Sequence, residues 1–174
     1  MVSVYDQTQG YLVDLDFAIR LQTPQMEGKT KDPRTQHFTM STPFLAIDLL
    51  SAMPPPHCHR HVIEAFFWTL LWTVIDYDEG GRNDSIVLDD WHNGTWLQIK
   101  ETKNGVLVEP LPLLEHITEP WSSLRAILLR MIQLFFEAKR MMTWTTDSDA
   151  ETAGGVIHYE SFMAVLDSAL LDTF

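Results

Sequence analysis

Arg60-His61-Val62-Ile63-Glu64-Ala65-Phe66-Phe67-Trp68-Thr69-Leu70-Leu71-Trp72-Thr73-Val74-Ile75 is the stretch on which the fold turns. Aromatic and aliphatic side chains occupy nearly every position, and only Glu64, Thr69 and Thr73 interrupt them. A helix that is apolar on all sides is a buried one. Residues 60–75 are therefore expected at the centre of a helical domain. The uncharged part, Ala65 to Ile75, falls far short of the roughly 18 to 20 residues that a membrane span needs.

Upstream of this run, Met53-Pro54-Pro55-Pro56 ends an apolar segment, Thr42 to Leu50, that returns the chain to the core. Gln22 to Thr42 is polar and aperiodic, and reads as a long loop of the kind that usually carries function. Before it, Val2 to Tyr5 and Tyr11 to Phe17 read as a hairpin around Asp6-Gln7-Thr8-Gln9-Gly10. Strand alternation puts Asp14 and Asp16 on one face of the second strand.

Downstream, the acidic Asp76 to Asp90 reads as a solvated connection. Asn93 or Thr95 is placed to cap a helix through Lys103, stopped by Asn104-Gly105. Thr118-Glu119-Pro120 starts a long helix to about Met142. Leu124, Ile127, Leu128, Met131, Ile132 and Phe135 form its apolar face, with Arg125, Arg130, Gln133, Glu137 and Arg140 opposite. After a polar loop, Thr143 to Gly155, a last helix shows the core face Tyr159, Phe162, Met163, Leu166, Ala169 and Leu170. The fold class expected is mainly α with a short N-terminal β-hairpin.

Composition bounds the function. The chain has 174 residues, 45% hydrophobic and 21% charged, which suits one globular domain or one lobe of a larger one. Twelve Lys and Arg against 24 Asp and Glu give a formal charge of -12, which repels nucleic acid and anionic membranes alike. Cys58 alone cannot form an internal disulfide, and Met1 opens no basic-then-apolar leader, so an intracellular setting (cytoplasm or nucleus) is expected.

Three segments resemble the fungal-type protein kinases. Gly10-Tyr-Leu-Val-Asp-Leu-Asp-Phe-Ala18 is similar to the stretch that fills the place of their Asp-Phe-Gly motif. Ser41-Thr42-Pro43-Phe44-Leu45-Ala46-Ile47-Asp48-Leu49-Leu50 resembles the end of their activation segment. Arg60 to Trp72 resembles their Arg-His-Asp-Leu-Glu-Ser-Phe-Phe central helix. Leu88 to Lys100, with Trp91, Gly94 and Trp96, resembles a later Trp-containing segment.

The resemblance implies a protein-kinase-like C-terminal lobe over 1–174, with hairpin and activation segment in 1–50 and the helical lobe in 57–174. It implies ATP-dependent phosphorylation of Ser or Thr by an intact relative, with Mg and ATP as cofactors. Asp14 would hold the metal and, through it, the nucleotide. Asp48 would stand at the Ala-Pro-Glu acid, with Arg125 or Arg130 as partner; an exposed acid at a helix start is the plain alternative.

The departures matter equally. These 174 residues contain no Gly-rich loop, no strand lysine for the phosphates and no His-Arg-Asp-type catalytic loop. The chain thus reads as a catalytically incomplete fragment, Met1 falling after the catalytic loop. The alternative is a non-catalytic, pseudokinase-like scaffold that binds a partner or itself through the uncovered interlobe face. Val62 stands where the family has Asp. It avoids an unpaired buried carboxylate, or it is core packing or drift.

Two weaker patterns complete the reading. His57-Cys58-His59-Arg60-His61 holds zinc-type ligands but fits no familiar zinc spacing, so it reads as a helix entry. Asp149, Glu151, Gly154, Val156, Glu160 and Phe162 echo a calcium-binding loop only in part, so an acidic loop before a helix is expected. The six tryptophans are expected in core packing.

Overall fold

The apolar run forms α1 (His59–Asp76), within a residue of its expected limits. A computed structural model describes residues 42–82, 86–145 and 149–171. The expected N-terminal hairpin, Asp14 and nearly all of the polar loop lie outside the described residues. Cys58 caps α1 in extended backbone, and His61 reaches back to the Cys58 N–H. Phe67, Trp68 and Leu71 have no solvent exposure, while Glu64 accepts the Trp68 indole N–H at 2.9 Å.

Ahead of α1, two 3₁₀ turns, Thr42–Phe44 and Ile47–Leu50, carry Pro43, Leu45, Ala46, Ile47, Leu49 and Leu50 into the core. After it, β1 (Tyr77–Asp78) pairs antiparallel with β2 (Gly81–Arg82). The expected solvated connection is corrected at its start. Asp76 closes α1 and is buried, accepting from Trp72 Nε1 at 3.2 Å and from Arg82 Nε at 2.8 Å. Two hydrogen-bonded donors offset the cost of burying that carboxylate.

A 3₁₀ turn, Ile86–Leu88, leads into α2 (Asp89–Asn93) and α3 (Trp96–Val108). Gly94 joins them where an added Cβ would collide with the Asp90 carbonyl oxygen. Thr95 caps α3 in a reciprocal box with Gln98. α3 does not stop at Asn104-Gly105. A helical glycine costs about 1 kcal/mol, whereas burying Val106 and Leu107 returns about 1.5 to 3 kcal/mol each.

α4 (Leu111–Leu114) turns the chain, and Thr118 then ties it to the end of α1, bonding the Val74 and Tyr77 carbonyls. The expected helix from Thr118 splits into a 3₁₀ stretch, Glu119–Leu124, and α5 (Arg125–Trp144). Leu128, Met131, Ile132 and Phe135 are buried as their spacing predicts. In α6 (Tyr159–Leu171) Phe162 is buried, but Tyr159 is 59% exposed and lies off the core face.

The core joins α1, α3 and α5. Phe67 stacks on Phe135 at 4.9 Å between ring centroids, and Trp68 meets Trp91 edge-on at 5.2 Å. Trp96, Trp121 and Trp144 are exposed, so only half of the tryptophans fill the core role expected of all six. α1 is not covered on every side either: Val62 and Phe66 are each 54% exposed, on one stripe with His59 and Thr69. Both readings that bury position 62, core packing and avoidance of an unpaired buried carboxylate, are therefore corrected.

Adjacent phenylalanines separate the two environments. Phe67→Ala is expected to cost about 3 to 5 kcal/mol in denaturant unfolding, and Phe66→Ala under about 1 kcal/mol. Equal losses would contradict this burial pattern.

Candidate functional site

The segment 45–50 has no ladder; its own turns bond the Leu45 and Leu49 N–H groups, and side chains from two helices bond two further backbone groups. Glu64 on α1 accepts the Ile47 N–H at 2.8 Å, and Lys103 on α3 donates to the Leu45 carbonyl at 2.6 Å. The Lys103 ammonium lies 4.8 Å from the Trp68 ring centre and 5.5 Å from that of Trp91, a cation–π cradle. Burial lowers the Lys103 pKa to about 7, opposed by the charge of Glu64. Burial also raises Glu64, opposed by its bonds from Ile47 and Trp68 and by the charge of Lys103.

Asp48 projects from the same turn and pairs with Arg60 at 2.6 Å. The expected partners on the later helix are thus corrected: Arg125 is exposed and Arg130 donates to Ser168 at 2.8 Å. Arg60 is nearer because α1 starts directly beneath the turn. Its side chain is 7% exposed, and its Nε donates to the Ala150 carbonyl at 2.7 Å, which brings the loop before α6 over the start of α1.

That loop is closed by its own hydrogen bonds. Asp149 accepts from Glu151 N–H at 2.9 Å and Thr152 Oγ1 at 2.5 Å. The Thr152 bond first, then the Glu151 one, lowers the Asp149 pKa. Ala153, Gly154 and Gly155 follow with φ of 54°, 72° and 83°. Among the described residues no group of three or more His, Cys, Asp and Glu side chains is arranged to hold a metal. The calcium echo and the His57 to His61 run serve here as a turn and a helix cap.

Asp14, the residue that the resemblance assigns to magnesium, lies outside the described residues. A single carboxylate does not make a Mg·ATP site: a catalytic base, a phosphate-binding lysine and a second metal ligand are missing from the sequence.

His61 is the polar group left over. Its Nδ1 accepts from the Cys58 N–H at 3.0 Å, so the ring proton sits on Nε2, which is buried without a partner among the described residues. Burial, reinforced by the charges of Arg60 and His57, lowers its pKa to about 4 from the ordinary 6.5. Between those values the unfolded chain binds a proton that the folded chain refuses. The stability due to neutral His61 is complete above pH 6.5 and is lost as pH falls toward 4.

The difference is on the order of 3 kcal/mol. Thermal unfolding between pH 7 and 4.5 should therefore show a smaller acid-induced fall for His61→Asn, whose amide oxygen can still accept from Cys58. Parallel curves would refute this assignment.

The comparisons with known proteins bear on these segments. A family model described as fungal protein kinase matches residues 2–74, fewer than half of the 174. No curated protein and no solved structure matches the chain. The matched stretch includes the buried 45–50 turn and nearly all of α1. Residues 2–74 are thus similar to a domain of the fungal protein kinase type.

Proposed function

We propose that these residues form part of the C-terminal lobe of a fungal-type Ser/Thr protein kinase domain and transfer no phosphate by themselves. The observation that carries the reading is the family match over residues 2–74 in a chain whose 174 residues lack the catalytic loop and the phosphate-binding lysine. Catalysis of phosphoryl transfer is positioning plus charge stabilisation, and those absences remove nearly all of both. In an intact relative Asp14 would serve Mg and ATP, the 22–42 loop would be the activation loop, and 41–48 would help dock the substrate.

An intracellular setting suits the lone Cys58, and no helix among the described residues is long and apolar enough to cross a membrane. A formal charge of -12 disfavours nucleic acid and anionic lipid as partners. The test is a phosphotransfer assay with magnesium, ATP and a Ser/Thr substrate. No turnover is expected, and turnover abolished by Asp14→Ala would overturn the reading.

One observation favours a second role, as a non-catalytic, pseudokinase-like scaffold. The stripe of α1 holding Val62 and Phe66 is half exposed, and Phe162 of α6 sits edge-on to Phe66 at 5.8 Å. An apolar stripe on a helix of the core supports binding of a partner or self-association there. Under that role the chain should bind a hydrophobic dye and sediment above monomer mass, both reduced by Val62→Lys. A dye-silent monomer at high concentration would exclude it.

A further inference from the structure

The described residues enclose a second feature, unconnected with nucleotide chemistry. A cavity of ≈ 330 Å³ lies between the Ile47–Leu50 turn, α1, α3 and α5. That volume suits a small ligand. Three of the chain's 12 basic side chains line it, Arg60, Lys100 and Lys139, although acids outnumber bases two to one overall.

The carboxylates in its wall are already engaged. Asp48 is paired with Arg60, and Glu64 accepts from Ile47 and Trp68 and feels the charge of Lys103. Lys100 and Lys139 are not matched in this way. Lys100 Nζ donates to the Ser51 hydroxyl at 2.7 Å and Lys139 Nζ to the Asn104 side-chain oxygen, both neutral acceptors. Neither forms an ion pair with a carboxylate among the described residues.

An ammonium has three donors, so each lysine retains N–H groups for a ligand. Arg60 spends Nε on Ala150 and Nη2 on Asp48, and its Nη1 makes no hydrogen bond among the described residues. Leu107, Phe135 and Met142 supply apolar lining to the same cavity. Two ammonium groups that form no carboxylate ion pair among the described residues, beside an apolar surface, complement a dianionic head on a small organic body. A phosphate monoester has those properties near neutral pH, with three terminal oxygens as acceptors.

We propose that this cavity binds a small phosphate monoester, its head bridged by Lys100 and Lys139 and its organic body lying on Leu107, Phe135 and Met142. Burial lowers the Lys139 pKa; the charge of Asp48 opposes this, Lys100 lowers it further and Glu64 opposes again, so an arriving dianion would join the acids that favour the charged ammonium.

Calorimetric titration of the 174-residue chain with phenyl phosphate tests the proposal, with benzoate as the comparator of single charge. One site per chain is expected. Lys100→Gln and Lys139→Gln should each weaken binding about tenfold, the loss of one charge-assisted hydrogen bond, and benzoate should bind at least about tenfold more weakly than phenyl phosphate. Methyl NMR of methionine gives a reading that needs no variant: phenyl phosphate must shift Met142 and leave the exposed Met53 unmoved. No saturation by about 10 mM phenyl phosphate, an unmoved Met142, undiminished binding by a folded double variant, or benzoate binding as tight would each overturn the proposal.

Discussion

The 45–47 backbone, held between Glu64 of α1 and Lys103 of α3, is the constraint on which the rest of the structure depends. A turn buried in the core must satisfy its N–H and C=O groups, and here the bonds within its own 3₁₀ turns are completed by side chains at Ile47 and Leu45. Two oppositely charged residues perform this task, one from each helix. Their burial is tolerable because each has a hydrogen bond to the backbone and an aromatic neighbour in Trp68. The clamp fixes how α1 and α3 sit on the turn, and it leaves Asp48 beside Arg60.

Seen from the clamp, the kinase-type match gains a physical basis. The matched stretch does not form an independent unit in the described residues. Its Ile47 and Leu45 depend on one acid within the match and on one lysine well beyond it. Residues 75–171 therefore supply what the matched part needs in order to pack: Lys103 beneath the turn, Phe135 against Phe67, and Ala150 as an acceptor for Arg60.

Sequence pattern revealed the elements better than their charges. The long apolar run located α1 to within a residue, and Thr95 marked the start of α3, because both signals are local. The end of α3 was hidden, since Asn104-Gly105 favours a stop and only tertiary burial of Val106 and Leu107 overrides it. Lys103 carried no sign of burial, its environment being built by Leu45, Trp68 and Trp91 from distant parts of the chain. The partner of Asp48 was hidden for the same reason: its pairing with Arg60 depends on how the proline run turns back over α1. The Lys100 and Lys139 cavity was illegible, as the two side chains meet only when α3 and α5 pack.

The bond from Arg60 to Ala150 spans 90 positions. On a ribosome the first turn of α1 emerges long before its acceptor is made, and a guanidinium destined for burial must wait in water until 90 further residues have been added. Closure of this loop thus comes well after α1 itself has been made, and a nascent chain stalled between the two would present an unfinished surface to the cell's quality-control machinery.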